Sequence, residues 1–334
     1  MANSVEGRER LMTPEERLEL AQSLEAGQRP REALLAYYRA IIESQRQGRW
    51  LDRGTTPPPL FARVTRAMRT VKAGRRRFFE EALVPVRARH RDALARFDVC
   101  VANLTGEKPV PRADLRQRPS ILYFPGIPAS PWFGRDAFPW FDALERATGE
   151  IREELLAVMP RAEQAERVFD SDEAERRGLA GARGAPRWDG FYFYRHGERR
   201  QDNFALCPRT STVLETLPLC RIREHAPEVM FSVLMPGTHI LPHRGVTNTR
   251  VVCHLPLVVP EDCALVVGGE THVWREGAAV AFDDTYEHEA WNRGSRTRVV
   301  LIIDVWNPHL TAAEREAVTI LVEAMGDFNK AAGL

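Results

Sequence analysis

Two histidines and one arginine in the last third of the chain have the types and spacing to do chemistry. His243 closes the stretch Pro236 to His243 (PGTHILPH), His288 lies in Phe282 to Trp291 (FDDTYEHEAW), and Arg298 follows ten residues after the second histidine. Both histidines fall at the edges of turns between short apolar runs, the arrangement of a metal held in a small β-barrel. Seven of the nine histidines (His225, His239, His243, His254, His272, His288 and His309) lie between residues 225 and 309. Imidazole is both a metal ligand and an acid/base group near neutral pH, so this enrichment supports one of those two uses without choosing among the seven.

Strand alternation narrows the choice. Along Arg250 to Val259, Val251, Cys253, Leu255 and Leu257 share one face while Arg250, Val252 and His254 share the other. Along Thr297 to Val305, Arg298, Val300, Ile302 and Asp304 share a face opposite Val299, Leu301 and Ile303. Both strands are otherwise apolar on both sides, which directs Arg250, His254 and Arg298 into a barrel interior. A buried guanidinium requires an anion, because an unpaired interior charge is costly, and a small dicarboxylate would meet that need.

These residues must be positioned by strands. From Glu228 onward, apolar runs recur between turn signals: Val229–Leu234, Thr238–Leu241, Arg250–Val259, Cys263–Val267, Thr271–Trp274, Ala278–Phe282, Glu287–Trp291 and Thr297–Val305. Eight short strands without intervening helices predict a jelly roll or related β-sandwich. Upstream, Ile121–Phe124 and Gly190–Tyr194 read as aromatic strands. An amphipathic helix is expected over Phe141–Val158, a charged surface excursion over 161–187, and a short helix over Pro208–Leu217 capped by Ser or Thr near 210. A closing helix should run from Thr311, as N-cap, to Phe328.

The first hundred residues read as helical. Thr13-Pro14-Glu15-Glu16 carries a capping box with proline at the first helical position, predicting a helix over Pro14–Glu25, and a second is expected over Arg31–Gln47. A Pro-rich turn over Arg53–Pro59 precedes a third helix at Leu60–Val71 and a long fourth from Arg75 to Val101, kinked at Pro85. The chain is thus divided into an α-helical region at 1–110 and a β-rich domain at 111–334. The first hairpin is TPR-like, but no second copy recurs at a fixed period. Its role is either to cap the β-rich domain or to dock a protein partner.

Composition sets the outer limits. The chain has 334 residues, 44% hydrophobic and 28% charged, with net charge +1. These are the proportions of an ordinary globular protein, and the charge favours neither nucleic acid nor a membrane surface. No run approaches the ~18 apolar residues of a membrane span, and the first thirty residues lack the apolar centre of a signal peptide, so a cytoplasmic location is expected. Five scattered cysteines form no C-x-x-C pair, which argues against a disulfide framework or structural zinc.

The motifs PGTHILPHRG, TNTR with Cys253-His254-Leu255, FDDTYEHEAW, and Asp304-Val-Trp-Asn-Pro308, with weaker matches at Leu122–Gly126 and Cys207–Thr210, resemble the aspartyl/asparaginyl β-hydroxylase family over roughly residues 115–310. The resemblance implies an oxygenase dependent on Fe(II), 2-oxoglutarate and O2, built on a double-stranded β-helix. The implied fold class is therefore mixed α and β: a double-stranded β-helix (jelly-roll, cupin-like) catalytic core with an N-terminal α-helical region. It implies that His243 and His288 ligate the iron, that the carboxylate usual two residues after the first histidine is replaced here by Gly245, and that Arg298 with Ser232 holds the distal carboxylate of 2-oxoglutarate beside His254. Arg250 and Val252 are the expected substrate-choosing positions, since the animal enzymes carry a second arginine where this chain has Val252.

The expected activity is hydroxylation of an unactivated C–H, at the β-carbon of an aspartyl, asparaginyl or related amino-acid group that is free, peptide-borne or carrier-bound. The rivals are an acyl-chain hydroxylase of the lipid A type and a non-catalytic β-barrel binding module. His239 and His272 are read as structural or surface residues, Asp283 and Asp284 as turn formers, Asp304 as a partner on the Arg298 face or a strand end, and Trp291 and Trp306 as core.

Overall fold

The computed structural model describes residues 12–159, 165–181 and 186–334. They form two compact units, Met1–Arg89 with Ile320–Leu334, and His90–Thr319.

The first unit is helical. Helix α1 (Pro14–Ala26) opens on the expected capping box, in which Thr13 Oγ1 accepts from the Glu16 N–H at 3.2 Å and the Glu16 carboxylate accepts from the Thr13 N–H at 2.7 Å. Helix α2 (Pro30–Arg46) folds back along it, held by Arg17 to Glu43 at 2.7 Å and by Tyr37 Oη donating to Glu25 at 2.9 Å. Helix α3 (Pro58–Arg89) is a single element of 32 residues where the sequence predicts two, with a break before Arg75. Gly74 does not interrupt it; a Cβ there would meet the Leu34 side chain of α2, so the glycine serves close packing instead.

Helix α4 (Ala95–Leu104) is separate and groups with the second unit, where Arg96 pairs with Glu314 at 2.6 Å and donates to the Gly126 carbonyl at 3.0 Å. The division therefore falls at Arg89/His90, whereas the sequence reading places it at 110. The C-terminal helix Ala312–Ala331 starts on a second capping box, with the Glu314 N–H donating to Thr311 at 3.2 Å. Its last turns group with the first unit, where the Phe328 ring lies 5.0 Å from Tyr38 and 5.3 Å from Phe78.

In the second unit, strands β1 (Glu166–Arg167), β2 (Leu179–Gly181), β3 (Trp188–Arg195) and β4 (Glu198–Arg199) precede β5 (Val229–Leu234), β6 (Thr238–His243), β7 (Arg250–Val258), β8 (Cys263–Val267), β9 (Glu270–His272), β10 (Val280–Phe282), β11 (His288–Asn292) and β12 (Arg298–Trp306). One sheet runs β1-β3-β5-β12-β7-β10 and the other β2-β6-β11-β8-β9, and every ladder is antiparallel. From β5 to β12 the chain passes from one sheet to the other at each step except the β8–β9 hairpin, which is the winding of a double-stranded β-helix.

Helices α5 (Phe141–Arg146), α6 (Thr148–Val158), α8 (Gln201–Leu206) and α9 (Pro208–Glu215) cover the outer face of the first sheet, where Ile151, Leu155 and Leu214 join Phe231, Leu255 and Leu301 in one core. Helix α7 (Asp172–Gly178) leads into β2. A second core between the sheets includes Leu234, Ile240, Leu265, Phe282 and Val300. All five cysteines are buried free thiols.

Several local expectations change. The helix over 141–158 is divided at Ala147. Helix α9 is not capped by its own Ser or Thr; Glu154 of α6 accepts from the backbone N–H groups of Arg209 and Thr210, each at 2.8 Å. That carboxylate satisfies two donors a helix start leaves orphaned. Ile121–Phe124 makes only an isolated bridge at Leu122, because the Asn248 side chain pairs with both the N–H and the carbonyl of Phe124 at 2.7 and 2.9 Å. Trp291 and Trp306 are half-buried, and Arg293 lies 4.4 Å over the Trp291 ring. Of the expected excursion at 161–187, residues 161–164 and 182–185 lie outside the described residues. Among the described residues, no helix is long and apolar enough to cross a membrane.

Phe328→Ala should remove about 3–5 kcal/mol of packing from the helical unit. The expected readout is lost hydrogen-exchange protection in α2 and α3, and unchanged protection would show that the last turns of the C-terminal helix do not support them.

Candidate metal and anion site

Ladder register creates the site. His243 ends β6, His288 begins β11, and the two are direct partners across the antiparallel ladder. Their rings sit 4.0 Å apart between centroids. Each is oriented by the same local device: His243 Nδ1 lies 2.8 Å from the Leu241 carbonyl and His288 Nδ1 lies 3.0 Å from the Tyr286 carbonyl. A carbonyl can only accept, so Nδ1 carries the proton and Nε2 keeps its lone pair. Burial lowers the pKa of both rings, with His288 pushed down to about 3, first by burial and then by the neighbouring His243. Both imidazoles are therefore neutral at physiological pH, as ligation requires.

Arg298 enters the same cavity from β12. It is 1% exposed, and burial pushes its pKa down to about 10. Its Nη1 donates to Ser232 Oγ at 3.2 Å, that oxygen also accepts from Trp188 Nε1 at 2.8 Å, and the guanidinium lies 4.6 Å over the Trp274 ring. Nε has no partner, and no carboxylate among the described residues pairs with this cation. His254 stands nearby, 5% exposed, with Nδ1 unpartnered and its ring edge-on to Phe282 at 5.0 Å.

Ser232, His243, Arg250, Val252, His254, His288 and Arg298 all line one cavity of about 420 Å³. The alternation argument directed Arg250, His254 and Arg298 inward, and they point there. Arg250 has a different environment from Arg298: it is ion-paired with Asp304 and reaches Asp284 Oδ2 at 3.4 Å. Asp304 accordingly serves Arg250 and accepts from the Glu228 N–H at 3.0 Å, rather than partnering Arg298.

The two aspartates of the β10–β11 turn have different parts. Asp283 is a turn former, accepting from the Thr285 N–H at 2.9 Å and its hydroxyl at 2.6 Å. Asp284 is not; it lines the cavity, and burial pushes its pKa up to about 7 against the opposing pull of Arg250. Its carboxylate occupies the space that a Cβ on Gly245 would need, and the Gly245 N–H donates to its carbonyl at 2.6 Å. The sequence signal for Asp284 was its place four residues before His288, masked by the frequency of aspartate in turns. Trp188 and Trp274, which frame the Arg298 end, left no signal in strand alternation. His239 pairs with Glu289 at 2.6 Å and His272 packs 5.1 Å from Trp132, consistent with structural roles.

This donor set suits a divalent metal with a small dicarboxylate. Two neutral imidazoles offer free Nε2 atoms, and a buried, unpaired guanidinium with a hydroxyl beside it calls for an anion. Among the described residues, no group of three His, Cys, Asp or Glu side chains is arranged to hold a metal.

Residues 145–308 match the family model described as aspartyl/asparaginyl beta-hydroxylase. The chain is 34% identical over 209 residues to aspartate beta-hydroxylase domain-containing protein 2 of Mus musculus, covering 61% of this chain and 59% of that protein. It is 34% identical over 206 residues to aspartyl/asparaginyl beta-hydroxylase of Homo sapiens, covering 60% of this chain and 26% of that protein. The chain thus matches about three fifths of the first relative's length and about a quarter of the second's. Among solved structures, a Pseudomonas putida prolyl-4-hydroxylase aligns at TM-score 0.28 and 15% identity over 50% of this chain and 99% of that one. The fold assignment rests on the strand pairing above.

Asp284 should leave a signature in stability. A carboxyl whose pKa rises from 3.8 to about 7 on folding favours the folded state while it is protonated; that contribution is fully present below pH ~4 and is lost as pH rises through ~7. The metal-free protein should therefore lose thermal stability relative to Asp284→Asn as pH increases across that window. A Tm difference independent of pH would show that Asp284 does not titrate there.

Proposed function

Residues 145–308 belong to the aspartyl/asparaginyl β-hydroxylase family, and on that premise we propose that this protein is an Fe(II)- and 2-oxoglutarate-dependent dioxygenase that hydroxylates an unactivated C–H. The observation that carries the reading is the convergence, in one cavity, of two neutral histidines with free Nε2 atoms and a buried arginine that lacks a counter-ion. The relatives' names point to an amino-acid group as substrate, with the β-carbon of an aspartyl or asparaginyl residue the nearest choice, whether free, peptide-borne or carrier-bound.

In this reading His243 and His288 hold the iron, and their Nδ1–carbonyl hydrogen bonds fix both rings before the metal arrives. Arg298 and Ser232 receive the distal carboxylate of 2-oxoglutarate, and His254 lies beside it. The guanidinium is already desolvated and stacked on Trp274, so little reorganisation is needed when the anion enters. Phe282 separates His254 from His288, and with Ile302 and Leu265 it makes the surrounding wall apolar, which keeps water from the reacting carbon. Bound at this site, iron with 2-oxoglutarate would supply the oxidising chemistry, in which O2 is consumed, 2-oxoglutarate becomes succinate and CO2, and C–H becomes C–OH. Gly245 contributes no ligand, and Asp284 fills the space beside it.

His243→Ala and His288→Ala should each abolish conversion of 2-oxoglutarate to succinate by the iron-loaded protein. Turnover that survives both changes would sink the assignment. Arg298→Lys should raise the KM for 2-oxoglutarate about 10–100-fold, as expected for loss of a charge-assisted hydrogen bond in a buried site, with a smaller effect on kcat.

A further inference from the structure

The cavity has a chemical gradient along the three central strands of the first sheet, β5, β12 and β7. Along β5 the inward residues run Ser232, Met230, with Glu228 immediately before the strand; along β7 they run His254, Val252, Arg250. On β12, Ile302 lies between Arg298 and Asp304, the residue that pairs with Arg250. On these three strands an apolar side chain separates the Arg298 end from a second polar end. The Arg298 end is suited to the co-substrate, so the apolar middle and the second end are left for the substrate.

That second end offers no free positive charge. Among the described residues, three arginines and no lysine line the cavity. Arg250 is held between Asp304 and Asp284. Arg195 is held by Glu166 and Asp170, each at 2.6 Å, and lies 4.8 Å over the Tyr192 ring. Of these three, Arg298 alone is uncommitted. Glu228 adds a further carboxylate, bonded to the backbone N–H of His196 at 2.6 Å and to its Nδ1 at 2.9 Å. Asp284, 6% exposed, leaves Oδ1 without a donor. A substrate carboxylate placed here would be desolvated where Arg250 is already taken by Asp304 and Arg195 by Glu166 and Asp170, with no uncommitted cation among the described residues to compensate it.

Resting on the hydroxylase reading, the geometry points to a substrate whose reacting carbon lies on an uncharged side chain, aliphatic or amide, whose polar neighbours are N–H donors, and which carries no carboxylate. Within the amino-acid class this selects leucyl- or asparaginyl-like groups over aspartyl ones. Val252 is the specificity-determining position: it faces the cavity between His254 and Arg250, and it keeps that wall neutral.

The test compares three shape-matched probes, the N-acetyl amides of leucine, asparagine and aspartate, with the full chain loaded with Fe(II) and 2-oxoglutarate. The expected result is that the leucine and asparagine probes raise succinate formation at least about tenfold more than the aspartate probe. Val252→Arg should shift the ratio toward aspartate. Calorimetric binding of the same probes to the Zn(II)-substituted, 2-oxoglutarate-bound protein should give the same order without turnover. An aspartate probe that matches or exceeds the neutral ones, or no response to either neutral probe in both assays, overturns the proposal. Failure of the hydroxylase reading itself is distinguishable: the protein would neither bind 2-oxoglutarate nor convert it in any condition, while calorimetry of the same probes with the metal-free full chain, without 2-oxoglutarate, would still judge the charge selection.

Discussion

A guanidinium taken out of water without a carboxylate beside it costs several kcal/mol, and Arg298 is buried in that way at the centre of the barrel. The surrounding structure limits the cost without removing it. Ser232 supplies a hydroxyl and its own carbonyl, Trp274 supplies a π face, and the β5–β12–β7 ladder fixes all of them in register. What remains is a positive charge that cannot be satisfied internally and opens onto a cavity. Most of what the cavity can do follows from that single unpaired charge: the end it occupies becomes the anion end, and the other end is defined by its absence. Arg250 shows that this is specific to position, because it faces the same cavity and yet is fully matched by Asp304 and Asp284.

The barrel was legible in the sequence because its information is local. Period-two alternation and turn residues mark β5 to β12 within a residue or two at most ends, and the same alternation directs Arg250, His254 and Arg298 inward. What was not legible depends on partners far away in the chain. Nothing near Phe124 says that Asn248 will satisfy its backbone in place of a strand. Nothing near Pro208 says that Glu154 will cap the helix that starts there. Gly74 looks like a break because its contact, Leu34, is on another helix. Arg250 and Arg298 are indistinguishable by alternation, and they are told apart only by the carboxylates that reach one and not the other.

Gly245 and Asp284 show how such distant pairing shapes chemistry. A glycine two residues beyond a candidate metal-binding histidine reads in sequence as a missing ligand. In the fold it is the condition for something else, since the Asp284 carboxylate takes the volume that any side chain at 245 would require. Restoring a carboxylate at 245 would bring two acids together in a low-dielectric site already holding Asp304, so their mutual repulsion would disfavour ionisation of both. The two positions are thus one linked choice. The chain keeps an acid at this corner of the cavity but mounts it on the turn before β11, where it can pair with Arg250. That placement has a consequence for selectivity. In the proposed reading, Asp304 and Asp284 together commit Arg250, the second positive charge an acidic substrate could use, so the end of the cavity beyond Val252 is left without an uncommitted cation among the described residues.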